Sequence, residues 1–214
     1  MSYIRFRDVS KSFGGNAVLK AVGFGIEKGE LCGFAGRNGS GKTVIFKLMT
    51  GLLIPDSGEI TVGGENFNAK RKFPDSLGVM IETPGFIPHY SGLKNLKILN
   101  SMSADPVPPE DIAALMERLE LDPKNRRPVK TYSLGMRQKL GIIQAVMNKP
   151  ELLVLDEPMN SLDDRSVGLV RELFKELNGA GTTIVIASHI AEDIESLCTK
   201  KFRIDNASVS EVTA

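Results

Sequence analysis

The 214-residue sequence has few of the features that mark secreted, disulfide-bonded or membrane-spanning proteins. It contains two cysteines, Cys32 and Cys198, which are too few for a disulfide framework or a cysteine metal cluster and are expected to be small buried hydrophobic residues. No apolar run approaches the length of a membrane span, and residues 1–7 lack the hydrophobic core of a signal peptide. The chain is therefore expected to act in the cytosol.

A strong excess of charge is also missing. The formal net charge of +1 argues against a surface that mainly holds nucleic acid or anionic lipid. One basic cluster lies in residues 124–130, but no aromatic residues interleave it, so a solvated linker is favoured over a nucleic-acid or lipid patch. The content of 42% hydrophobic and 25% charged residues is ordinary for a globular protein with one large domain.

The most informative stretch is residues 36–43, Gly-Arg-Asn-Gly-Ser-Gly-Lys-Thr, which fits the phosphate-loop pattern G-x-x-x-x-G-K-[ST] at every fixed position. An apolar run of strand length precedes it, and apolar residues at helical spacing follow it, as the motif requires. In such a loop the backbone N–H groups surround a polyphosphate, Lys42 reaches the terminal phosphates, and Thr43 offers a hydroxyl to Mg²⁺. The predicted nucleotide-binding residues here are Gly36, Asn38, Gly39, Ser40, Gly41, Lys42 and Thr43.

The rest of the chain predicts an α/β protein with two additions. Residues 3–30 alternate between apolar and polar positions and carry turn signals, which predicts antiparallel strands ahead of the phosphate loop. From residue 83 prolines punctuate amphipathic helical pieces, so residues 83 to about 147 are predicted to form a helical subdomain inserted into the core. The α/β pattern then returns, with strands over 152–155 and 182–187.

Four predicted strands end on polar groups: the phosphate loop, Glu82, the pair Asp156 and Glu157, and His189. Ligands of open α/β sheets bind at that carboxyl edge. Because consecutive residues leaving a strand point in opposite directions, Asp156 is predicted to hold Mg²⁺ and Glu157 to accept a proton from the attacking water or to orient it. His189 is predicted to sense the γ-phosphate or to donate to the transition state, the alternative being a structural histidine.

A second helix N-terminus suited to an anion opens in residues 131–138, ahead of a helix predicted over 138–147. It has a serine cap, Ser133, and a glycine, Gly135, but no lysine with which to complete a site of its own. Its place on the inserted subdomain suggests that it completes the pocket of another copy. Two chains related by a two-fold axis would then enclose two nucleotides.

With these motifs assembled, residues 3–205 resemble the nucleotide-binding subunit of an ABC transporter. The matching motifs are Walker A at 36–43, the signature at 132–140, Walker B at 152–157, the D-loop at 161–163 and the H-loop at 188–189. The resemblance implies a single ABC ATPase domain over 1–214, with a RecA-like core of mostly parallel sheet and with ATP and Mg²⁺ as cofactors. It further implies that Phe13 stacks on adenine, that Ser133 and Gly135 contact phosphate, and that Asp163 belongs to the nucleotide site.

Three departures from the family pattern stand out. The signature is usually Leu-Ser-Gly-Gly-Gln, and here Ser133 and Gly135 are retained while their neighbours differ. Phe13 replaces the commoner tyrosine, which leaves the stacking ring face intact. Glu82 replaces the Q-loop glutamine, which in the family helps to bind Mg²⁺, so the resemblance makes Glu82 a candidate Mg²⁺ ligand whose carboxylate adds negative charge there. This glutamate is similar to that of ATPases of the bacteriocin and lantibiotic self-protection type.

The predicted function is ATP hydrolysis by a homodimer that powers a separately encoded transmembrane permease, with export favoured over import. The chain would be cytoplasmic and peripheral on the inner face of the membrane, and a groove near residues 82–90 would receive a short helix of the permease. No nucleic acid is expected as a partner. Two alternatives stay open: a soluble ABC ATPase acting on ribosomes or DNA, which the single domain and the lack of heptads disfavour, and a regulatory module that binds nucleotide without turnover.

Overall fold

The computed structural model describes residues 2–66, 73–74 and 76–212 and contains two β-sheets. An antiparallel sheet has the order β2-β1-β4-β5, and a six-stranded sheet has the order β10-β9-β3-β8-β7-β6. The antiparallel sheet is formed by β1 Ile4–Phe13, β2 Asn16–Ile26, β4 Ser57–Val62 and β5 Glu65–Asn66. The six-stranded sheet is formed by β3 Leu31–Ala35, β6 Leu77–Met80, β7 Leu152–Asp156, β8 Thr183–Ser188, β9 Lys200–Asp205 and β10 Ser208–Glu211.

Among the described residues, six α-helices connect and cover the sheets. They are α1 Lys42–Met49, α2 Gly92–Ser101, α3 Pro109–Arg118, α4 Leu134–Val146, α5 Asp164–Gly179 and α6 Ala191–Leu197, and a 3-10 turn covers Val129–Thr131. In the described part of the chain no helix is long and apolar enough to cross a membrane. Cys32 and Cys198 are buried, and burial raises the pKa of both thiols, as expected of residues used for packing.

Strands β7 and β8 lie at the centre of the molecule and are buried on both faces. Alternate residues, such as Val154 and Val185, pack toward a cluster that contains the antiparallel sheet and α1. Their neighbours, such as Leu155 and Ile186, pack toward a second cluster that contains residues of α2 to α6. Two covered faces explain why these strands read as continuous apolar runs rather than alternating ones. The predicted α/β class, with an antiparallel addition and a mostly parallel sheet, is confirmed.

The helical segment shares its hydrophobic core with the sheet. Leu96 of α2, Ile112 of α3 and Leu140 of α4 belong to the same buried cluster as Leu153 and Leu155 of β7. Close packing is also visible where a Cβ added to Gly78 would approach the carbonyl oxygen of Ala145 to 2.0 Å. The extent of an inserted subdomain, residues 83 to about 147, therefore remains a prediction.

Several element boundaries differ from those predicted. Helix α4 begins at Leu134 instead of residue 138, because the Ser133 side chain accepts the backbone N–H of Met136 and caps the helix there. Strand β8 covers Thr183–Ser188 instead of the predicted 182–187, because Ser188 pairs with Ala35 of β3. The Ser133 cap was visible in the sequence, whereas the pairing of Ser188 with a distant strand was not.

Candidate nucleotide site at the carboxyl edge of the sheet

The sheet order brings four polar segments to one edge. Strands β3, β8, β7 and β6 are parallel neighbours, with Ala35 opposite Ser188, Asp156 opposite Ala187, and Met80 opposite Leu155. Their carboxyl ends lead respectively into the phosphate loop, His189, Glu157 and Glu82. This edge is where open α/β sheets bind ligands.

The loop between β3 and α1 has the backbone shape of an anion cradle. Gly39 and Gly41 adopt φ values of +78° and +108°, which L side chains rarely adopt. Helix α1 has no side-chain cap, so its first N–H groups remain available to a ligand. The buried Ser40 Oγ has no hydrogen-bond partner among the described residues. A cradle with free donors and an unpaired buried hydroxyl fits a polyphosphate; Gly36 borders it, and Asn38 is exposed on it.

Lys42 is the buried cation of the site, with 6% of its surface exposed. Its Nζ donates to the carbonyl oxygens of Gly36 at 2.7 Å and Arg37 at 3.3 Å, and lies 3.5 Å from Glu157 Oε1. The lysine is therefore held between the loop and the strand-end acid. A cation fixed in this position neutralises negative charge that arrives in the cradle.

Asp156 ends β7 facing α1. Its Oδ2 accepts the hydroxyl of Thr43 at 2.5 Å. Burial raises the pKa of Asp156, and the charges of Glu157 and Glu82 raise it further, while the Thr43 hydrogen bond and Lys42 lower it. The hydroxyl and the carboxylate are oxygen donors of the kind that Mg²⁺ prefers, and Mg²⁺ commonly needs only one or two such protein ligands beside phosphate. In the described part of the chain no group of three or more His, Cys, Asp or Glu side chains is arranged as a metal site.

Glu157 turns away from Asp156 toward His189. Its φ of +50° is unusual for a non-glycine residue. The Oε2 atom lies 2.8 Å from His189 Nδ1 and 3.3 Å from the His189 backbone N–H, which donates to it. The Oε1 atom is buried and accepts no hydrogen bond from a described residue. One oxygen thus orients the histidine, and the other is available to accept a proton.

Glu82 lies at the same edge and has a different partner on α1. It adopts φ +61°, and its Oε1 lies 2.6 Å from Nζ of Lys47 on α1. Sequence reasoning proposed Glu82 as a magnesium ligand and missed Lys47. The lysine stands four residues after Thr43 on the same helix, and this spacing is the signal that could have identified it.

The residues of the signature and the D-loop form a second group. Ser133 caps α4, and a Cβ on Gly135 would approach the Ser161 carbonyl oxygen to 2.8 Å. Asp163 caps α5 by accepting the Ser166 backbone N–H at 2.8 Å, which lowers the pKa of Asp163. Among the described residues no hydrogen bond or ion pair joins Ser133 or Gly135 to Lys42, Thr43 or Asp156.

One side chain that sequence reasoning missed links the two groups. Gln138 of α4 donates from Nε2 to the carbonyl oxygens of Glu157 at 2.8 Å and Pro158 at 3.0 Å. The signature helix is therefore tied to the backbone of the strand-end acid. The sequence contained no signal for this bond, because its acceptors are main-chain atoms 19 and 20 residues away.

Phe13 is the last residue of β1, and 46% of its surface is exposed. Lys11 Nζ lies 5.5 Å from its ring centroid. An exposed aromatic ring with a cation beside it is a suitable platform for a nucleobase.

Two cavities lie outside this edge. A groove of about 250 Å³ is bordered by Ile81, Thr83, Pro84 and Gly85, together with Leu52, Val79, Met80, Leu99 and Gln144. A larger one, of about 1170 Å³, borders the antiparallel sheet at residues such as Tyr3, Phe24 and Phe73, and none of the predicted site residues lines it. Only the smaller cavity adjoins Glu82.

Comparison with known proteins gives consistent results. Residues 19–160 match the family model described as ABC transporter. The chain is 38% identical over 195 residues to the uncharacterized ABC transporter ATP-binding protein YybJ of Bacillus subtilis, covering 91% of this chain and 89% of that one. It is 36% identical to the bacitracin transport ATP-binding protein BcrA of Enterococcus faecalis, covering 91% and 63% of the two chains. It is also 36% identical to the lantibiotic transport ATP-binding protein SrtF of Streptococcus pyogenes, covering 91% and 83%.

Among solved structures, the dimeric structure of MJ0796, a bacterial ABC transporter cassette, superposes with a TM-score of 0.87. The sequences are 20% identical, and the alignment covers 99% of each chain. At this identity the likeness establishes a common fold.

Proposed function

Because the chain belongs to the ABC transporter family as one of its ATP-binding proteins, we propose that it hydrolyses ATP as a homodimer and powers export through a separate membrane permease. The family predicted from the motifs, the cassette fold and the ATPase class are confirmed. The contact network of Lys42, Thr43, Asp156, Glu157 and His189 at one sheet edge carries the proposal.

The phosphate loop, Lys42 and the strand-end acid Asp156 bind the nucleotide. The loop N–H groups and Lys42 take the phosphates, while Thr43 and Asp156 supply oxygen ligands for Mg²⁺, which neutralises phosphate charge when bound. Phe13 stacks on the base. Positioning and charge neutralisation are most of what phosphoryl transfer requires of a protein.

Glu157 and His189 act on the attacking water. The water oxygen forms a bond to the γ-phosphorus while the bond from phosphorus to the bridging oxygen breaks, and the water proton passes to Glu157 Oε1. That oxygen is buried and free of hydrogen bonds to described residues, so it can accept the proton. Glu157 Oε2 accepts a hydrogen bond from the Nδ1–H of the imidazole, and when the ring carries both protons its second N–H donates to a phosphate oxygen.

The N-terminus of α4 completes the site of a second copy. Ser133 and Gly135 lie at an exposed helix start beside the exposed side chain of Leu134, and this group has no lysine of its own. An exposed helix N-terminus favours a phosphate brought by another chain. Two identical chains related by a two-fold axis would pair each phosphate loop with the partner's α4.

The groove beside Glu82 is the proposed permease site. Its lining is mainly apolar, and Ile87, which follows the lining residue Gly85 by two positions in the chain, is 44% exposed. A short amphipathic helix can bury its apolar face in such a groove. Docking there would place the ATPase on the cytoplasmic side of the membrane and connect it to the Glu82 backbone.

The proposed cargo class is peptide antibiotic. Two relatives, BcrA and SrtF, carry the names bacitracin transport and lantibiotic transport ATP-binding protein. This chain has the same cassette but spans 63% of the length of BcrA, so additional segments of that relative have no counterpart in the alignment. The permease is the component expected to select the peptide.

Hydrolysis is tested with Glu157→Gln and a matched control, Glu172→Gln, which makes the same change on an exposed position of α5. Loss of the general base should lower the ATPase rate at least about 100-fold while leaving ATP binding in place. The control should keep the wild-type rate. Equal rates in both variants would contradict the assignment of Glu157.

Transport is tested by introducing Glu157→Gln into the cell that encodes this chain and its permease. Growth inhibition by a lantibiotic and by bacitracin is measured, together with the amount of labelled peptide that stays with the cells. Export predicts greater sensitivity to one of these peptides and more cell-associated label. Unchanged sensitivity to both would exclude this cargo class, and reduced label would indicate import.

A further inference from the structure

Helix α1 contacts the ends of two neighbouring strands with one of its faces. Thr43 and Lys47 stand four residues apart, so their side chains lie one above the other on the helix. Thr43 donates to Asp156 at the end of β7, and Lys47 pairs with Glu82 just beyond β6, its parallel neighbour. Asp156 and Glu82 thus lie at the same edge of the sheet, and each bonds to a different side chain of α1.

Glu82 and Asp156 are neighbours at the sheet edge. They follow adjacent parallel strands, in which Met80 lies opposite Leu155, and they bond to side chains one helical turn apart on α1. The Glu82 side chain is 64% exposed and that of Lys47 is 29% exposed. A partly exposed ion pair contributes little to folding stability, so Lys47 can be replaced without unfolding the protein.

Position 82 also borders the groove. Ile81 and Thr83, on either side of Glu82, line the cavity of about 250 Å³, and Glu82 itself has the unusual φ of +61°. Unusual backbone conformations of this kind persist where the surroundings fix them, and they cluster at functional sites. The ion pair therefore connects the wall of the groove to the helix that starts at the phosphate loop.

We propose that Lys47 is a positioning residue that holds Glu82 on the groove side of α1, away from the divalent cation at Thr43 and Asp156. Breaking the pair lets the carboxylate join the cation's ligands. The inference rests on the proposed nucleotide function and adds to it a route by which movement of the groove wall changes cation binding. The ion pair with Lys47 also explains how a carboxylate is tolerated at position 82, where a glutamine amide would carry no charge.

The test measures Mn²⁺ binding to the purified protein with the non-hydrolysable nucleotide AMP-PNP, using the loss of the free Mn²⁺ signal in electron paramagnetic resonance. Mn²⁺ replaces Mg²⁺ because both prefer carboxylate and water ligands. Four proteins are compared: wild type, Lys47→Met, Glu82→Gln and the double variant. Lys47→Arg serves as the conservative control that keeps the pair, and Lys47→Gln repeats the test if the methionine variant is unstable.

Lys47→Met should tighten Mn²⁺ binding about threefold in the wild-type background, the effect expected for one exposed ion pair, and should have no effect when Glu82 is already glutamine. Lys47→Arg should match wild type. Equal tightening in both backgrounds would show only the lost lysine charge and would overturn the inference, as would no tightening at all. If wild type binds no Mn²⁺ with AMP-PNP, the proposed function fails and the inference fails with it.

Discussion

The phosphate-loop edge and the start of α4 both offer donors to an anion, yet they are built differently. At the edge, Lys42 is buried and held by the loop and by Glu157, and Thr43 is bonded to Asp156. At α4, Ser133 serves its own helix, and Leu134 beside it is 56% exposed. The first region has the buried cation and the two acids proposed as general base and metal ligand, whereas the second has only the helix start. The difference supports the proposal that the second region acts on a nucleotide held by another chain.

Ser133→Asp gives the largest expected effect in this comparison. Aspartate is as good a helix cap as serine, so α4 and the fold should be preserved. Its negative charge would repel the phosphates of the partner's nucleotide, and we expect the ATPase rate to fall at least about tenfold while ATP binding to the monomer is retained.

Ser91→Asp is the matched control, since Ser91 caps α2 by accepting the Lys94 backbone N–H in the same way. It should hydrolyse ATP at the wild-type rate. If Ser91→Asp lowers the rate as much as Ser133→Asp does, the effect belongs to helix capping and the proposed division between the two regions is wrong.

Phe13→Ala tests which of the two regions binds the adenine base of the nucleotide. The proposal assigns Phe13 to the nucleotide of its own phosphate loop, so removing the ring should weaken ATP binding by the monomer about tenfold, as expected for loss of one base stack. Phe13→Tyr keeps the ring face and should bind normally. Titration with a fluorescent ATP analogue gives both affinities, and wild-type affinity in the alanine variant would remove Phe13 from the site.

Asp156→Asn is expected to have a small stabilising effect on the nucleotide-free protein. Burial raises the pKa of Asp156, so ionisation of this carboxyl opposes folding. The free energy of unfolding therefore falls as pH rises from the ordinary carboxyl pKa through the raised one. At neutral pH the variant should melt about 1–3 °C above wild type, and the difference should shrink as pH falls toward the ordinary carboxyl value.

Asp163→Asn should show the opposite sign. The backbone N–H of Ser166 lowers the pKa of Asp163, so its ionised form stabilises the fold above the ordinary carboxyl pKa, and this contribution is lost as pH falls. Melting curves measured across acid and neutral pH compare the two variants directly. A lower melting temperature for Asp156→Asn at neutral pH would show that its contacts outweigh its burial.

The sequence was most informative where the chemistry is local. Residues 36–43 carry their own spacing, and the strands that end at Asp156 and His189 are apolar runs followed at once by polar groups. These features predicted the cassette fold. They also identified, as candidate site residues, the residues that the structure places at one edge of the sheet. Their individual catalytic and binding roles remain predictions.

Contacts between distant parts of the chain were beyond such reasoning. Lys47 and Glu82 are 35 residues apart, and Gln138 reaches main-chain atoms that no side-chain pattern reports. The start of α4 was predicted four residues late, although the sequence indicated the Ser133 cap with which the helix begins. For Lys47, Glu82 and Gln138, tertiary packing decides which partner each polar group meets.

The composite site is tested most directly by sedimentation velocity of the Glu157→Gln protein with and without ATP and Mg²⁺. We expect a monomer without nucleotide and a dimer with it, because slowed hydrolysis keeps both nucleotides between the two chains. The dimer should be lost when Ser133→Asp is added and kept when Ser91→Asp is added. A Glu157→Gln protein that binds ATP but stays monomeric, or a dimer that survives Ser133→Asp, would contradict a site shared between two copies.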